Sequence, residues 1–147
     1  MSESYLPAGM PAPVPAADGL DLPYWEGTRR GVLMVQRCGN CSNWQWGPEW
    51  MCHKCNSFDT KWQQVDGTGV IYSWERPWHQ VHPALKERGR YTAVLVGLPH
   101  AGNIRMVCHL LGPDDQDVVI GTSVEAVFEP HDDAATPYTL VQWRLPD

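Results

Sequence analysis

The chain has 147 residues, 43% of them hydrophobic and 19% charged, with 11 Lys and Arg against 17 Asp and Glu for a formal net charge of −6. This length suits one domain or two small ones sharing an interface, and the acidic balance lacks the cationic footprint that a phosphate backbone requires. No apolar run is long enough to cross a bilayer, and the opening MSESYLPAGMPAPVPAADG has no secretory pattern, so paired cysteines are expected to be metal ligands in a reducing cytosol.

Residues 1–19 are rich in Pro, Ala and Gly and lack periodicity, as expected of a flexible tail or a partner-wrapping arm. GLDLPYWEGTRRGVL follows. Asp21 is placed to cap a short helix, Pro23 sits in its first turn and Gly31 stops it. Leu20, Tyr24 and Trp25 are large apolar side chains on a helix too short to stand alone. They must dock either on the segment that follows or on another subunit.

Residues 32–36 alternate as a strand does, and they lead into RCGNCSNWQWGPEWMCHKCN, residues 37–56. Cys38 and Cys41 form one C-x-x-C pair and Cys52 and Cys55 another, with ten residues between the pairs. Four thiolates so spaced can close a tetrahedron around zinc, or around iron in the same site; two disulfides or four unrelated thiols are the alternatives. A zinc ribbon carries each pair on a tight knuckle between strands. The turn after each pair favours positive φ and commonly takes Gly, but Ser42 and Asn56 stand there. Asn tolerates that region better than Ser, so the first knuckle is expected to be slightly atypical. TKWQQVDG is the strand leaving the second knuckle. Residues 20–66 thus read as helix plus ribbon. A region this poor in aliphatics needs the metal, since a structural zinc contributes about 10–16 kcal/mol of folding free energy.

From Gly67 the texture changes. GTGVIYSWERPW, YTAVLVGL, IRMVCHLL, SVEAVFE and YTLVQWRL are β-branched and aromatic runs separated by turn signals. Gly102-Asn103 reads as a hairpin turn, Pro113-Asp114-Asp115 as another turn, and HPALKERGR as a variable loop with one helical turn. Five strands without a long helix between them point to a small OB-type barrel over residues 67–147, with a meander sheet as the other option.

No specific catalytic constellation is present. Ser73 and Ser123 lack a nucleophile-elbow context, and Asp114, Asp115 and Asp117 lack the rest of a calcium loop. His53 lies in the second knuckle, where four cysteines already complete the ligand shell. Cys108, the fifth cysteine, sits in an apolar run as a small buried hydrophobe. Two groups are candidates for contact with acyl-CoA or a partner. Trp74, Arg76, Trp78, His79, His82, Arg88 and Arg90, with Lys86, gather positive and aromatic groups in one stretch, suited to a phosphorylated nucleotide such as a coenzyme A tail or to an acidic partner, or else to a plain solvated loop. Trp44, Trp46 and Trp50 lie between the knuckles, as a partner-binding patch or as internal packing on the barrel.

The stretches YWEGTRRGVLMVQRCGNC, CHKCNS, GTGVIYSW, YTAVLVGL and IGTSVEAVFE resemble the zinc-ribbon/OB-fold family, long known only as a domain of unknown function, that accompanies thiolase-superfamily enzymes. The resemblance runs from about residue 20 onward. It implies a mainly β chain: a short N-terminal helix, a rubredoxin-like zinc ribbon, then a five-stranded OB-fold barrel. Only the metal ligands Cys38, Cys41, Cys52 and Cys55 carry over, with nothing catalytic. The implied role is a cytoplasmic accessory subunit of a thiolase, acyl-CoA synthase or thiolase-like aldolase, sharing its acyl-CoA substrate in a hetero-oligomer. ERPWHQVHPALKERG and PYTLVQWR are similar to members acting in steroid side-chain degradation. Two other classes compete: a single-stranded nucleic-acid binder, which the charge disfavours, and a rubredoxin-like electron carrier, which metal analysis decides.

Overall fold

Asp21-Leu22-Pro23 opens the single α-helix among residues 7–146, the part of the chain that the computed structural model describes. Residues 1–6 of the expected tail lie outside the described residues. Helix α1 spans Leu22–Arg29 with Pro23 in its first turn. Asp21 holds the cap position without capping. Its carboxylate instead accepts from the Ala16 N–H at 2.8 Å and from Trp25 Nε1 at 3.0 Å, so it ties the preceding segment to the helix. Gly31, at φ +71°, ends the helix and turns the chain into the first strand. Eight residues cannot sustain a helix in water. Packing holds it: Tyr24 lies against the central core and meets Trp46 edge-to-face at 5.0 Å. Of the two docking options for Tyr24, the structure realises the intramolecular one.

The next three strands form the ribbon. β1 (Leu33–Cys38) lies between β2 (Trp44–Gln45) and β3 (Thr60–Val65), antiparallel to both. Leu33 faces Val65 and Cys38 faces Thr60 across β1 and β3, while Gln36 faces Gln45 across β1 and β2.

The barrel strands are β4 (Thr68–Glu75), β5 (Ala93–Leu98), β6 (Ile104–Leu111), β7 (Ser123–His131) and β8 (Tyr138–Arg144), one for each apolar run. Their order, β4-β5-β6-β8-β7, returns to β4, where Thr68 faces Glu125. Closure through a parallel β6–β8 pair, made only by Leu110 with Trp143 and Leu111 with Arg144, is that of a partly open OB barrel and excludes the meander. A bulge between Ile71 and Ser73 bends β4 around the barrel.

One core serves both parts. Leu33 and Val35 of the ribbon join Val94, Val96, Leu98, Met106, Leu110, Val124, Val141 and Trp143 of the barrel. The ribbon is therefore stabilised by barrel contacts as well as by any metal.

The turns match expectation in part. Gln116 N–H donates to the Pro113 carbonyl at 3.0 Å in the expected turn. Gly102 and Asn103 are both left-handed, at φ +65° and +58°, but they finish a longer connection instead of making a two-residue hairpin. Pro99 opens a 3-10 turn over Pro99–Ala101 first, and burial of Ala101 holds it there.

The long β4–β5 connection contains a second 3-10 turn, Pro83–Leu85, in which the Ala84 N–H donates to His82 Nδ1 at 3.2 Å. Gln80 Nε2 donates to the Gly89 carbonyl at 2.9 Å, and Leu85 is buried.

Candidate metal centre

Two tight knuckles bring the four sulfurs together. In the first, Ser42 N–H donates to the Cys38 carbonyl at 3.0 Å, and in the second Asn56 N–H donates to the Cys52 carbonyl at 2.9 Å. Ser42 and Asn56 have φ of +60° and +57°, so both adopt the left-handed conformation the turn favours and the first knuckle is not atypical in its backbone.

The sulfurs of Cys38, Cys41, Cys52 and Cys55 all lie within 4.8 Å of one another. Cys38 Sγ is 3.6 Å from Cys55 Sγ and Cys41 Sγ is 3.7 Å from Cys52 Sγ. A zinc–sulfur bond of about 2.3 Å implies a tetrahedron edge of about 3.8 Å, so the donor set fits zinc. The spacing is far from the ~2.05 Å of a disulfide, and all five cysteines are free thiols.

Backbone and side-chain donors already surround the sulfurs as they would surround thiolates. The N–H groups of Asn40 and Cys41 each point at Cys38 Sγ at 3.4 Å. Asn40 Nδ2 lies 3.6 Å from Cys55 Sγ. That amide, followed by the Ser57 N–H, pulls the Cys55 thiol down to about 6. A four-sulfur shell would leave a bound zinc no open position; the ion would supply a cross-link between the two knuckles and no reactive water. His53 is outside the shell, with Nε2 3.2 Å from Asn43 Nδ2.

A buried amide network fixes the loop between the knuckles. Gln36 and Gln45 are each 1% exposed. Gln45 Nε2 donates to Gln36 Oε1 at 2.8 Å, and Gln36 Oε1 also accepts from the Glu49 N–H at 3.0 Å. Gln36 Nε2 returns a bond to the Glu49 carbonyl at 3.0 Å, and His53 N–H donates to Gln45 Oε1 at 3.3 Å. Both glutamines sit among polar neighbours in the sequence, and nothing there marks them as interior.

The three inter-knuckle tryptophans part company. Trp44 and Trp46 are half-buried against the shared core. Trp50 is 56% exposed, with Nε1 donating to Asp18 Oδ2 at 3.1 Å. The Trp/Arg/His stretch also divides. Trp74 is packed against the core beneath the Arg76 guanidinium, which lies 5.0 Å from its ring centre. Arg76 donates to Thr92 Oγ1 at 3.2 Å and to the Gln116 carbonyl. Arg88 pairs with Asp114 at 3.4 Å, and His82 is spent on its turn. Trp78, His79 and Arg90 face solvent.

A second polar cluster lies on the barrel, unmarked by any motif. Glu129, only 6% exposed, accepts from Gln142 Nε2 at 3.3 Å, and its other oxygen lies 2.9 Å from His131 Nε2. Gln142 Oε1 accepts the His109 N–H at 3.2 Å where β6 and β8 diverge. Burial holds the His109 imidazole below its ordinary value, with Glu129 opposing and Arg88 adding to the effect. Burial also pushes the nearby Cys108 thiol up to about 11, as befits a packed, unreactive side chain.

Comparison with known proteins agrees with this architecture. Residues 25–60 match the model described as "ChsH2, rubredoxin-like zinc ribbon domain", and residues 62–129 match "ChsH2, C-terminal OB-fold domain". A curated protein of Thermomonospora curvata named "Probable enoyl-CoA hydratase alpha subunit" is 31% identical over 112 residues, covering 76% of this chain and 34% of that protein. The chain thus spans about a third of the length of the curated relative it matches. A chain of the solved "Ltp2-ChsH2(DUF35) aldolase" is 29% identical with a TM-score of 0.73, over 90% of this chain and 98% of that one. A DUF35-family protein of unknown function from Sulfolobus solfataricus shares the fold at 12% identity, with a TM-score of 0.56 over 85% of this chain and 84% of that one. With both domain models matched in order and together covering more than half of the chain, the protein belongs to the ChsH2 (DUF35) zinc-ribbon/OB-fold family.

Proposed function

We propose that this chain is a non-catalytic accessory subunit that binds and stabilises a thiolase-like enzyme acting on acyl-CoA. The observation that carries the reading is the likeness to a chain of the Ltp2-ChsH2(DUF35) aldolase, which extends over 98% of that chain. The name of the Thermomonospora relative, an enoyl-CoA hydratase subunit, supports a setting in acyl-CoA chemistry. The closed four-sulfur site supports a structural zinc, since it offers substrate no coordination position. On this reading the partner reaction is aldol cleavage in the degradation of lipid or steroid side chains, and the complex is a cytoplasmic hetero-oligomer whose large subunit supplies the catalytic residues.

The test is co-expression with a thiolase-like enzyme from the same organism. A single stable complex, with the large subunit insoluble or inactive alone, is the expected result. Full activity of the isolated large subunit would remove the reading.

A further inference from the structure

The β4–β5 connection carries features that its own folding does not require. Trp78 is 78% exposed and Val81 77% exposed, in a stretch that otherwise buries Leu85. Keeping a tryptophan in water forgoes the largest apolar burial any side chain offers. Yet this one is not loose. The Arg90 guanidinium carbon lies 3.9 Å from its ring centre, a cation–π contact that covers one face of the indole and leaves the other open.

The loop is held by bonds along its length. Arg76 is anchored to Thr92 and Gln116 at its root, Gln80 to Gly89 across its middle, and Arg88 to Asp114 at its far side. A pre-ordered anchor loses little entropy on binding.

Charge names the kind of partner. Residues 76–90 hold Arg76, Lys86, Arg88 and Arg90 against Glu87, four positive and one negative, or +3, within a chain whose total is −6. The rest of the chain is therefore at −9. A positive island on an acidic protein fits an acidic surface.

We propose that this loop is the docking element for the large subunit, with Trp78 inserted into an apolar pocket and Arg90 meeting carboxylates at the pocket's rim. Tryptophan and arginine are the side chains most enriched among residues that dominate binding. The proposal rests on the accessory-subunit reading above and narrows it to one face. A protein occupant is favoured over a nucleic-acid strand because the loop offers one exposed indole, suited to a single apolar pocket, where a strand requires successive stacking platforms.

The experiment measures the dissociation constant of the full-length chain for the co-expressed large subunit, at low and at high salt. Trp78→Ala is expected to weaken binding by about 30-fold, the threshold of a hot spot. Arg90→Glu is expected to weaken it at low salt and to flatten the salt dependence. Both variants should keep the zinc content and thermal midpoint of the parent, because both side chains lie outside the core. Phe58→Ala, on the ribbon and 77% exposed, is expected to change little.

Binding by both loop variants within about 2-fold of the parent would overturn the docking assignment alone, since that is within the range of neutral contacts. Loss of binding only in Phe58→Ala would move the anchor to the ribbon and overturn it too. Absence of any complex with the parent chain would overturn both this assignment and the accessory-subunit reading.

Discussion

Trp44 of the ribbon rests directly on Gly102 of the barrel: a Cβ at position 102 would lie 2.9 Å from Trp44 Cδ1 and 3.1 Å from its Cβ. Gly102 also holds φ +65°, where a side chain is strained. Arg37 covers the same indole, its guanidinium 4.9 Å from the ring centre. This contact adds to the core that the two parts share through Leu33 and Val35. Gly102→Ala is expected to lower the unfolding free energy of the zinc-loaded protein by about 1–3 kcal/mol, from backbone strain plus the clash. Urea denaturation measures it, and a loss under about 0.5 kcal/mol, the size of a neutral surface change, would mean that the parts are not so tightly docked.

The glutamine pair gives a sharper test of how the loop between the knuckles is shaped. Gln36→Leu removes the bonds to Gln45 Nε2 and to both backbone groups of Glu49. A loss of about 2–3 kcal/mol is expected, mostly from the buried Gln45 amide left with a poorer partner. Zinc stoichiometry should be unchanged, because no sulfur donor is touched. A variant as stable as the parent would show the network to be replaceable by water.

Metal removal should act locally before it acts globally. Stripping zinc with a chelator is expected to open amide exchange first in residues 33–65, while barrel strands β5 and β6, whose inward residues form the core, stay protected longer. Cys52→Ser, at the most buried ligand, is expected to weaken complex formation by loosening the ribbon and the core it shares with the barrel. Partner binding by that variant at parental strength would show the metal to be dispensable.

His109 sets a pH dependence whose sign follows from its surroundings. Its burial depresses the native value, with Glu129 and Arg88 acting in opposite senses and the Tyr91 ring against it at 5.1 Å. Below the ordinary value of about 6.5 the unfolded chain binds a proton that the native state does not, so stability rises with pH through this window. The contribution is complete above about pH 6.5 and is lost as the pH falls towards the depressed native value. His109→Gln should flatten the acid limb of a stability–pH curve measured by urea denaturation. An unchanged slope would place the responsible group elsewhere.

Much of this was legible in the chain itself. The five β-branched runs each became a barrel strand, because alternation against one core is a local signal. The cysteine spacing announced the knuckles, down to the left-handed Ser42 and Asn56. What could not be read depends on contacts made at long range. Trp44 and Trp46 sit in a loop-like stretch, and the core and helix α1 packed against them leave them half-buried. Gln36, Gln45 and Glu129 look solvent-facing by residue type, and their burial follows from partners far off in sequence. The Arg/His/Trp stretch reads as one cluster, yet Arg76 and Arg88 secure the loop while Trp78 and Arg90 stand clear of it.

The central claim is that this chain works by holding another enzyme. The most direct measurement is the activity and solubility of the thiolase-like large subunit, produced alone and with this chain, on a β-hydroxyacyl-CoA. The account predicts an active, stable hetero-oligomer only when both are present, and parental activity from the large subunit alone would contradict it.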